Sequence, residues 1–496
     1  MPMTLLSILG AIVTLCLAFP LIRMCLSSQF RTSFPRASKM FAAAVMAGVA
    51  ILTALVMWAP TLSIAVGAVS LPIHAYLWWR SRPSYGAEIG LPLGSLAMAP
   101  LEPWTERDYF LKVARRLGPV FKMSHFFSPL ICVTDLPTAF AILKEQDDVS
   151  LRAPDPPFAR FLPCGFIRGM VPDKHRIYRK MVMGGVVPQI FRVNEEALRG
   201  IVSEALSDIA QQSQTNPSGV WTDPHGKAFL LKVMLQLTFG IGPTDPNATP
   251  LTEYYGIISD SIRRRAAIPS PPEDRRVMAA IESVRKLVER PVGATPLCYR
   301  DQILLDDPDA ANDPVLPGLL IYMTQLAASD LSGLLQWLFK RLAEHPHMAA
   351  LIREREGYAD WFVRESLRSA QSEHLYRKIL KDFTHGGYHF PKGWMLRVCV
   401  WEGHQNVETF HDPDAFRPER FENAAFTRNE YGPFGNFRRS CFGEQLTIDL
   451  GAMLLREICR NYELSSPSPG QEIFDGWHWS PGFDFRIRLT PRSPVT

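Results

Sequence analysis

Cysteine is sparse in this chain and never paired: the eight among 496 residues are scattered, with no Cys-x-x-Cys spacing, which argues against a disulfide framework or a structural zinc site. A reducing compartment follows for the folded part. Charge of one sign is lacking too, since 53 basic and 49 acidic residues leave a net charge of +4. There is no basic block, no internal repeat and no interleaved aromatic stripe, so nothing supports nucleic-acid binding. The sole Asn-x-Ser/Thr sequon, Asn247-Ala-Thr249, is followed by Pro250 and gives little reason to place that region in a lumen.

Charge is absent altogether from three stretches, Leu5 to Ile22, Met40 to Trp58 and Leu62 to Trp79. Each is close to the roughly 20 residues that span a bilayer. Arg23, Arg31, Arg36 and Lys39 follow the first, the Ala59-Pro60 turn is uncharged, and Arg80 and Arg82 follow the third. The positive-inside rule then puts everything after Arg80 in the cytosol. No positive region precedes the first stretch, so a cleaved signal peptide is not expected. Residues 1–81 therefore read as a membrane region with up to three transmembrane helices, and residues 82–496 as one folded domain. A single anchor followed by an embedded hairpin remains the alternative.

Arg82 to Pro103, rich in proline and glycine, reads as a stiff hinge. A helix ending near Gly118 leads into alternating residues from Val120 to Val133. Glu196 to Leu237 and Val277 to Arg290 are helical in period, and Ala267 to Glu273 reads as a proline loop. Gly386 to Gly393 reads as a hairpin and Asp475 to Leu489 as a C-terminal β element. The expected fold class is mainly α with a small β portion.

One cysteine stands in an unusual setting, Phe434-Gly-Asn-Phe-Arg-Arg-Ser-Cys441-Phe-Gly443, just before the helix-period run Leu446, Ile448, Leu450, Met453, Leu454 and Leu455. A turn with free backbone N–H groups, beside Arg438 and Arg439, favours a thiolate. Gly443 lets backbone approach a flat ring. An inert buried thiol is the commoner reading of a lone cysteine. The loop nevertheless resembles the haem-binding signature of the cytochrome P-450 family, F-x-x-G-x-R-x-C-x-G. Phe434, Arg439, Cys441 and Gly443 fall on its positions, whereas Phe437 stands where the family usually has glycine.

Upstream elements occur in that family's order. Glu365-Ser-Leu-Arg368 places two charges on one helix face, and Phe416-Arg-Pro-Glu-Arg420-Phe421 resembles the family's Pro-Glu-Arg-Phe segment. The resemblance implies a buried structural triad of Glu365, Arg368 and Arg420. The proline-free apolar run from Gly318 to His345 resembles the central helix that crosses above the haem. Counting back from His345-Pro346, Ser329 and Asp330 fall where the family has its acid and threonine; a one-residue shift would make Asp330 the acid and Ser332 the alcohol. Both registers stay open, as does a plain capping role for Asp330.

The resemblance further implies iron protoporphyrin IX with Cys441 as axial thiolate and metal ligand, and Arg439, Arg377 and Arg179 as propionate partners. Arg179 lies in a segment similar to the family's Trp-x-x-x-Arg helix, with His175 in place of tryptophan. His404 and His411 read as ordinary loop residues. The implied activity is insertion of one oxygen atom from dioxygen into a lipophilic small molecule. Electrons come from NADPH through a separate cytochrome P-450 reductase, with cytochrome b5 as a second candidate partner, at the endoplasmic reticulum membrane. The general flavour is that of fungal secondary-metabolite members. Two rivals are a haem-thiolate isomerase or dehydratase needing no dioxygen, and a non-catalytic haem-binding membrane protein.

Overall fold

The computed structural model describes the chain from Ala75 onward, apart from residues 98–101, 126–127, 156, 265–270, 371–373, 475–477 and 493–496, together with isolated positions between residues 39 and 72. The first uncharged stretch lies outside the described residues, and the second and third are described only in part. Among the described residues no helix is long and apolar enough to cross a membrane. The chain divides into two compact units, one of residues 1–152, 373–411 and 473–479, the other of residues 153–372, 412–472 and 480–496.

The first unit is built on a sheet. The alternating run after Gly118 forms β1 (Val120–His125) and β2 (Ser128–Val133), antiparallel with Val120 opposite Val133. Next come β3 (Leu151–Arg152) and β4 (Leu375–Ile379). A separate hairpin follows, β5 (Phe383–His385) with β6 (Tyr388–Phe390). Its turn is Gly386-Gly387, with φ of 57° and 80°, the left-handed pair that a two-residue hairpin needs. β7 (Met395–Val398) completes a five-stranded sheet of order β1-β2-β7-β4-β3.

The proline-rich segment expected as a hinge is instead folded onto β1. The Lys122 N–H donates to the Leu93 carbonyl at 2.9 Å, while Lys122 Nζ donates to the Pro83 and Pro92 carbonyls at 3.0 and 2.6 Å. Leu91 and Leu96 are buried. Apolar anchoring and a lysine that caps two carbonyls outweigh the loop-forming composition.

The second unit is helical. The periodic run from Glu196 is two helices, Glu195–Thr215 and Thr222–Phe239, broken where Asn216 precedes Pro217. The expected proline loop ends sooner than Glu273, because Pro271 and Pro272 open the helix Pro271–Val288, where a missing N–H costs nothing. A central helix of 29 residues, Leu316–Glu344, has Pro317 in its first turn and a mostly buried surface. It meets Tyr358–Ser369 and Glu444–Asn461 at Gly451, where an added Cβ would lie 2.8 Å from Val363 and 3.5 Å from Leu338. That glycine lets three helices approach closely, and so fixes the start of Glu444–Asn461, where the cysteine loop ends. Within the range expected for the C-terminal β element lie Trp479–Ser480 and most of Arg486–Pro491, the latter antiparallel to Tyr462–Ser468.

Candidate active site

Cys441 sits two residues before Gly443, the N-cap of the helix Glu444–Asn461. Its N–H donates to the Phe434 carbonyl at 2.8 Å and closes the loop. Its Sγ accepts the Gly443 N–H at 3.3 Å. The amide and the positive helix end both favour a charged sulfur. Burial pushes the thiol up from its ordinary value, the Gly443 N–H opposes this, and the Asp330 carboxylate adds to the rise. Cys441 is nevertheless exposed. Deep placement with an open sulfur means that the thiol lines an interior wall.

The residue that departs from the signature carries a distinctive backbone. Phe437 has φ of 58°, the left-handed conformation that costs an L-residue about 1–2 kcal/mol. The glycine geometry is thus kept without the glycine. Asn436 offsets part of the cost, since its Oδ1 accepts the Phe437 N–H at 2.8 Å. Gly435, at φ of 70°, supplies the preceding bend.

Opposite, the buried central helix carries a stripe of Met323, Leu326, Ala327, Ser329, Asp330 and Gly333 that is exposed or half-buried. These positions share one face at helical spacing. The Asp330 charge acts on Cys441, so this part of the stripe lies near the sulfur. Ser332 lies on another face of the helix. It is fully buried, and an added Cβ on Gly226 of the neighbouring helix would lie 3.2 Å from its Oγ. Two residues beyond Asp330 is about 200° around the helix, so Ser332 faces Thr222–Phe239. Ser329 and Asp330 remain on the open face.

The cations divide. Arg179 donates through Nη1 to the Ser440 carbonyl at 2.8 Å and through Nη2 to Ser440 Oγ at 3.0 Å, and lies 5.7 Å from the Phe442 ring centroid. It therefore braces the cysteine loop directly. Arg439 donates to the Met170 carbonyl at 3.0 Å and to that of Arg168, fastening the loop to the segment before the helix Pro172–Gly185. His175 is buried on that helix. Arg377 belongs to the other unit and is engaged there. Its Nε and Nη2 donate to Asp147 at 2.7 and 3.0 Å, and its Nη1 to the Tyr376 carbonyl at 3.0 Å. His404, expected as an ordinary loop residue, is fully buried and edge-on to Phe410 at 5.8 Å. His411 is exposed.

Glu365, Arg368 and Arg420 come together. Arg368 Nε and Nη2 hold both Glu365 oxygens at 2.7 and 2.8 Å, Arg420 Nε lies 3.3 Å from Glu365 Oε1, and the Arg417 N–H adds a bond of 2.9 Å. The Glu365 and Arg368 side chains are 0% exposed. Arg368 and Arg420 also donate to the carbonyls of Pro413 and Ala415, at 2.8 and 3.1 Å. The network ties the helix Tyr358–Ser369 to the segment leading into the cysteine loop.

Sequence reasoning missed Asn436, Ser440 and Arg168, the last of which lowers the Cys441 thiol pKa. Asn436 carried a usable signal, an amide side chain just before a non-glycine turn residue. Ser440 and Arg168 carried none, because their roles depend on partners far along the chain. An inward sulfur with an N–H donor, half-buried Phe434 and Phe442, cations on the loop and an apolar helix stripe opposite together fit a haem ligated by Cys441.

Comparison with known proteins agrees with this geometry. A cytochrome P-450 family profile matches residues 335–478. An abscisic acid 8′-hydroxylase 3 of Oryza sativa subsp. indica is 24% identical over 471 residues, covering 82% of this chain and 89% of its own. An abscisic acid 8′-hydroxylase 2 of Arabidopsis thaliana is 23% identical over 464 residues, covering 84% and 92%. Among solved structures, the retinoic acid-bound cyanobacterial CYP120A1 superposes with a TM-score of 0.66 at 20% identity, covering 79% of this chain and 96% of its own. That structural likeness establishes the fold.

Proposed function

We propose that this chain is a cytochrome P-450, a reading supported by the family profile over residues 335–478 and by the hydroxylase relatives, and that it is a membrane-anchored monooxygenase that inserts one oxygen atom from dioxygen into a lipophilic small molecule. The observation that carries the proposal is Cys441, with its sulfur on the Gly443 N–H, facing the open stripe around Asp330. When bound, thiolate-ligated haem supplies the activation of dioxygen. The chain's own residues then have three tasks. The Gly443 N–H donates to the sulfur and favours its charged form against the burial that disfavours it, Arg179 and Arg439 hold the loop, and the apolar members of the stripe exclude water from around the substrate. Asp330, with Ser329 beside it, is our candidate for carrying protons at its carboxylate oxygens to the reacting centre.

Electrons from NADPH through a separate reductase, with cytochrome b5 as an auxiliary donor, fit a chain that we read as one catalytic domain behind its membrane region. The uncharged stretches before Arg80 support anchoring in the endoplasmic reticulum with the catalytic part in the cytosol. The named relatives are hydroxylases, which favours hydroxylation, and we extend the reading to secondary-metabolite substrates of terpenoid, polyketide or alkaloid type.

The test is turnover with purified reductase, NADPH and a lipophilic panel under heavy-isotope dioxygen. One labelled oxygen atom per product is expected. Product formed without NADPH or dioxygen would establish the isomerase or dehydratase reading, which the reordered Ser329-Asp330 pair motivates. Asp330→Ala should lower product formation by ~100-fold or more while NADPH consumption continues. Unchanged coupling in that variant would remove Asp330 from proton delivery.

A further inference from the structure

The uncharged stretch ending at Trp79 gives way to aromatic rings and arginines that stay at the surface. Tyr76 is 50% exposed, Trp78 63% and Trp79 46%. They are held in place by one another. Arg82 lies 4.2 Å from the Trp78 ring centroid, Arg80 lies 5.6 Å from that of Tyr76 and 6.0 Å from that of Tyr85, and Trp79 packs edge-on to Tyr85 at 4.6 Å. Rings this exposed gain little from the protein. An aromatic body with a polar edge suits the boundary between hydrocarbon and water. A guanidinium lying over a ring keeps in-plane N–H donors that match phosphate.

The cluster is also firmly seated. The Leu96 N–H donates to the Arg80 carbonyl at 3.3 Å, and the Gly94 N–H to that of Pro83 at 2.9 Å. Lys122 Nζ caps Pro83 and Pro92. An added Cβ on Gly94 would lie 1.9 Å from the Lys122 carbonyl oxygen, so the segment lies against β1 as closely as a glycine permits. Whatever holds the aromatic cluster therefore sets the position of this sheet.

We propose that Tyr76, Trp78 and Trp79 with Arg80 and Arg82 form a lipid-interface clasp, the rings lying at headgroup depth and the guanidiniums taking lipid phosphates. The uncharged sequence before it and the arginines within it select a phospholipid bilayer as occupant. This inference rests on the anchoring reading above and adds where along the chain the interface lies.

The full chain, loaded with haem, is reconstituted into phosphatidylcholine vesicles containing phosphatidylserine. The tryptophan emission of a Trp78→Phe/Trp79→Phe variant is subtracted from that of the parent to isolate the two rings. Lipids brominated near the headgroup should quench this difference signal roughly twofold more than lipids brominated deep in the chains, as interfacial depth requires, and aqueous iodide should quench it little. Strong iodide quenching, or stronger quenching by deep bromines, overturns the clasp while leaving anchoring intact if the protein sediments with vesicles. Failure to sediment with vesicles would overturn the anchoring reading as well.

Discussion

Position 437 shows how one residue can depart from a signature while the backbone does not. Phe437 is held at φ of 58° by its loop and by Asn436, so Phe437→Gly should stabilise the protein by about 1 kcal/mol, the cost of left-handed backbone at an L-residue. Thermal unfolding of the haem-loaded variant checks this, and an unchanged or lowered Tm would mean that the phenylalanine ring compensates through its packing. The departure itself was legible in the sequence; the conformation was not, since φ is set by the whole loop. Asp330 and Ser332 show the same limit. Spacing places both on the central helix, but which lines the interior depends on helix phase relative to Thr222–Phe239, which only packing decides.

Two elements carry the mechanical account. The triad joins the helix Tyr358–Ser369 to the segment before the cysteine loop, and its members are almost fully buried. Glu365→Ala leaves two buried guanidiniums uncompensated and should cost about 3–5 kcal/mol, read as a lowered unfolding midpoint and loss of haem retention. Wild-type stability in that variant would reduce the triad to a geometric coincidence. On β1, His125 accepts a hydrogen bond from Trp104 Nε1, and burial, then the Arg397 charge, push its pKa down to about 4 from 6.5. The folded protein keeps this ring neutral, whereas the unfolded chain protonates it below about 6.5. The unfolded state thus binds more protons as pH falls from about 6.5 to about 4, and His125 lowers stability across that window. Denaturant melts of His125→Phe should show a flatter pH dependence there, and an identical profile would exclude the histidine. The strands and long helices were legible from alternation, helical period and glycine pairs. The docking of residues 82–97 was not, because proline and glycine mark a loop without saying what it packs against.

For the whole molecule, motif order along the chain carried the resemblance to the cytochrome P-450 family before any fold was visible. Phe434 to Gly443, Glu365 to Arg368 and Phe416 to Phe421 are far apart in sequence, yet all lie in the unit that holds Cys441. What sequence could not assign was the destination of long cationic side chains. Arg377 reaches Asp147 and Arg179 reaches Ser440, pairings separated by hundreds of residues and set by tertiary structure alone. The chemistry proposed for this chain depends on one ligand, Cys441. The most direct measurement is the carbon-monoxide difference spectrum of the reduced protein, taken in parallel on wild type and Cys441→Ser. A thiolate-type Soret shift in the wild type that is lost in the variant is the predicted result; no such shift in the wild type, or its persistence without Cys441, would contradict the assignment of this chain as a haem-thiolate enzyme.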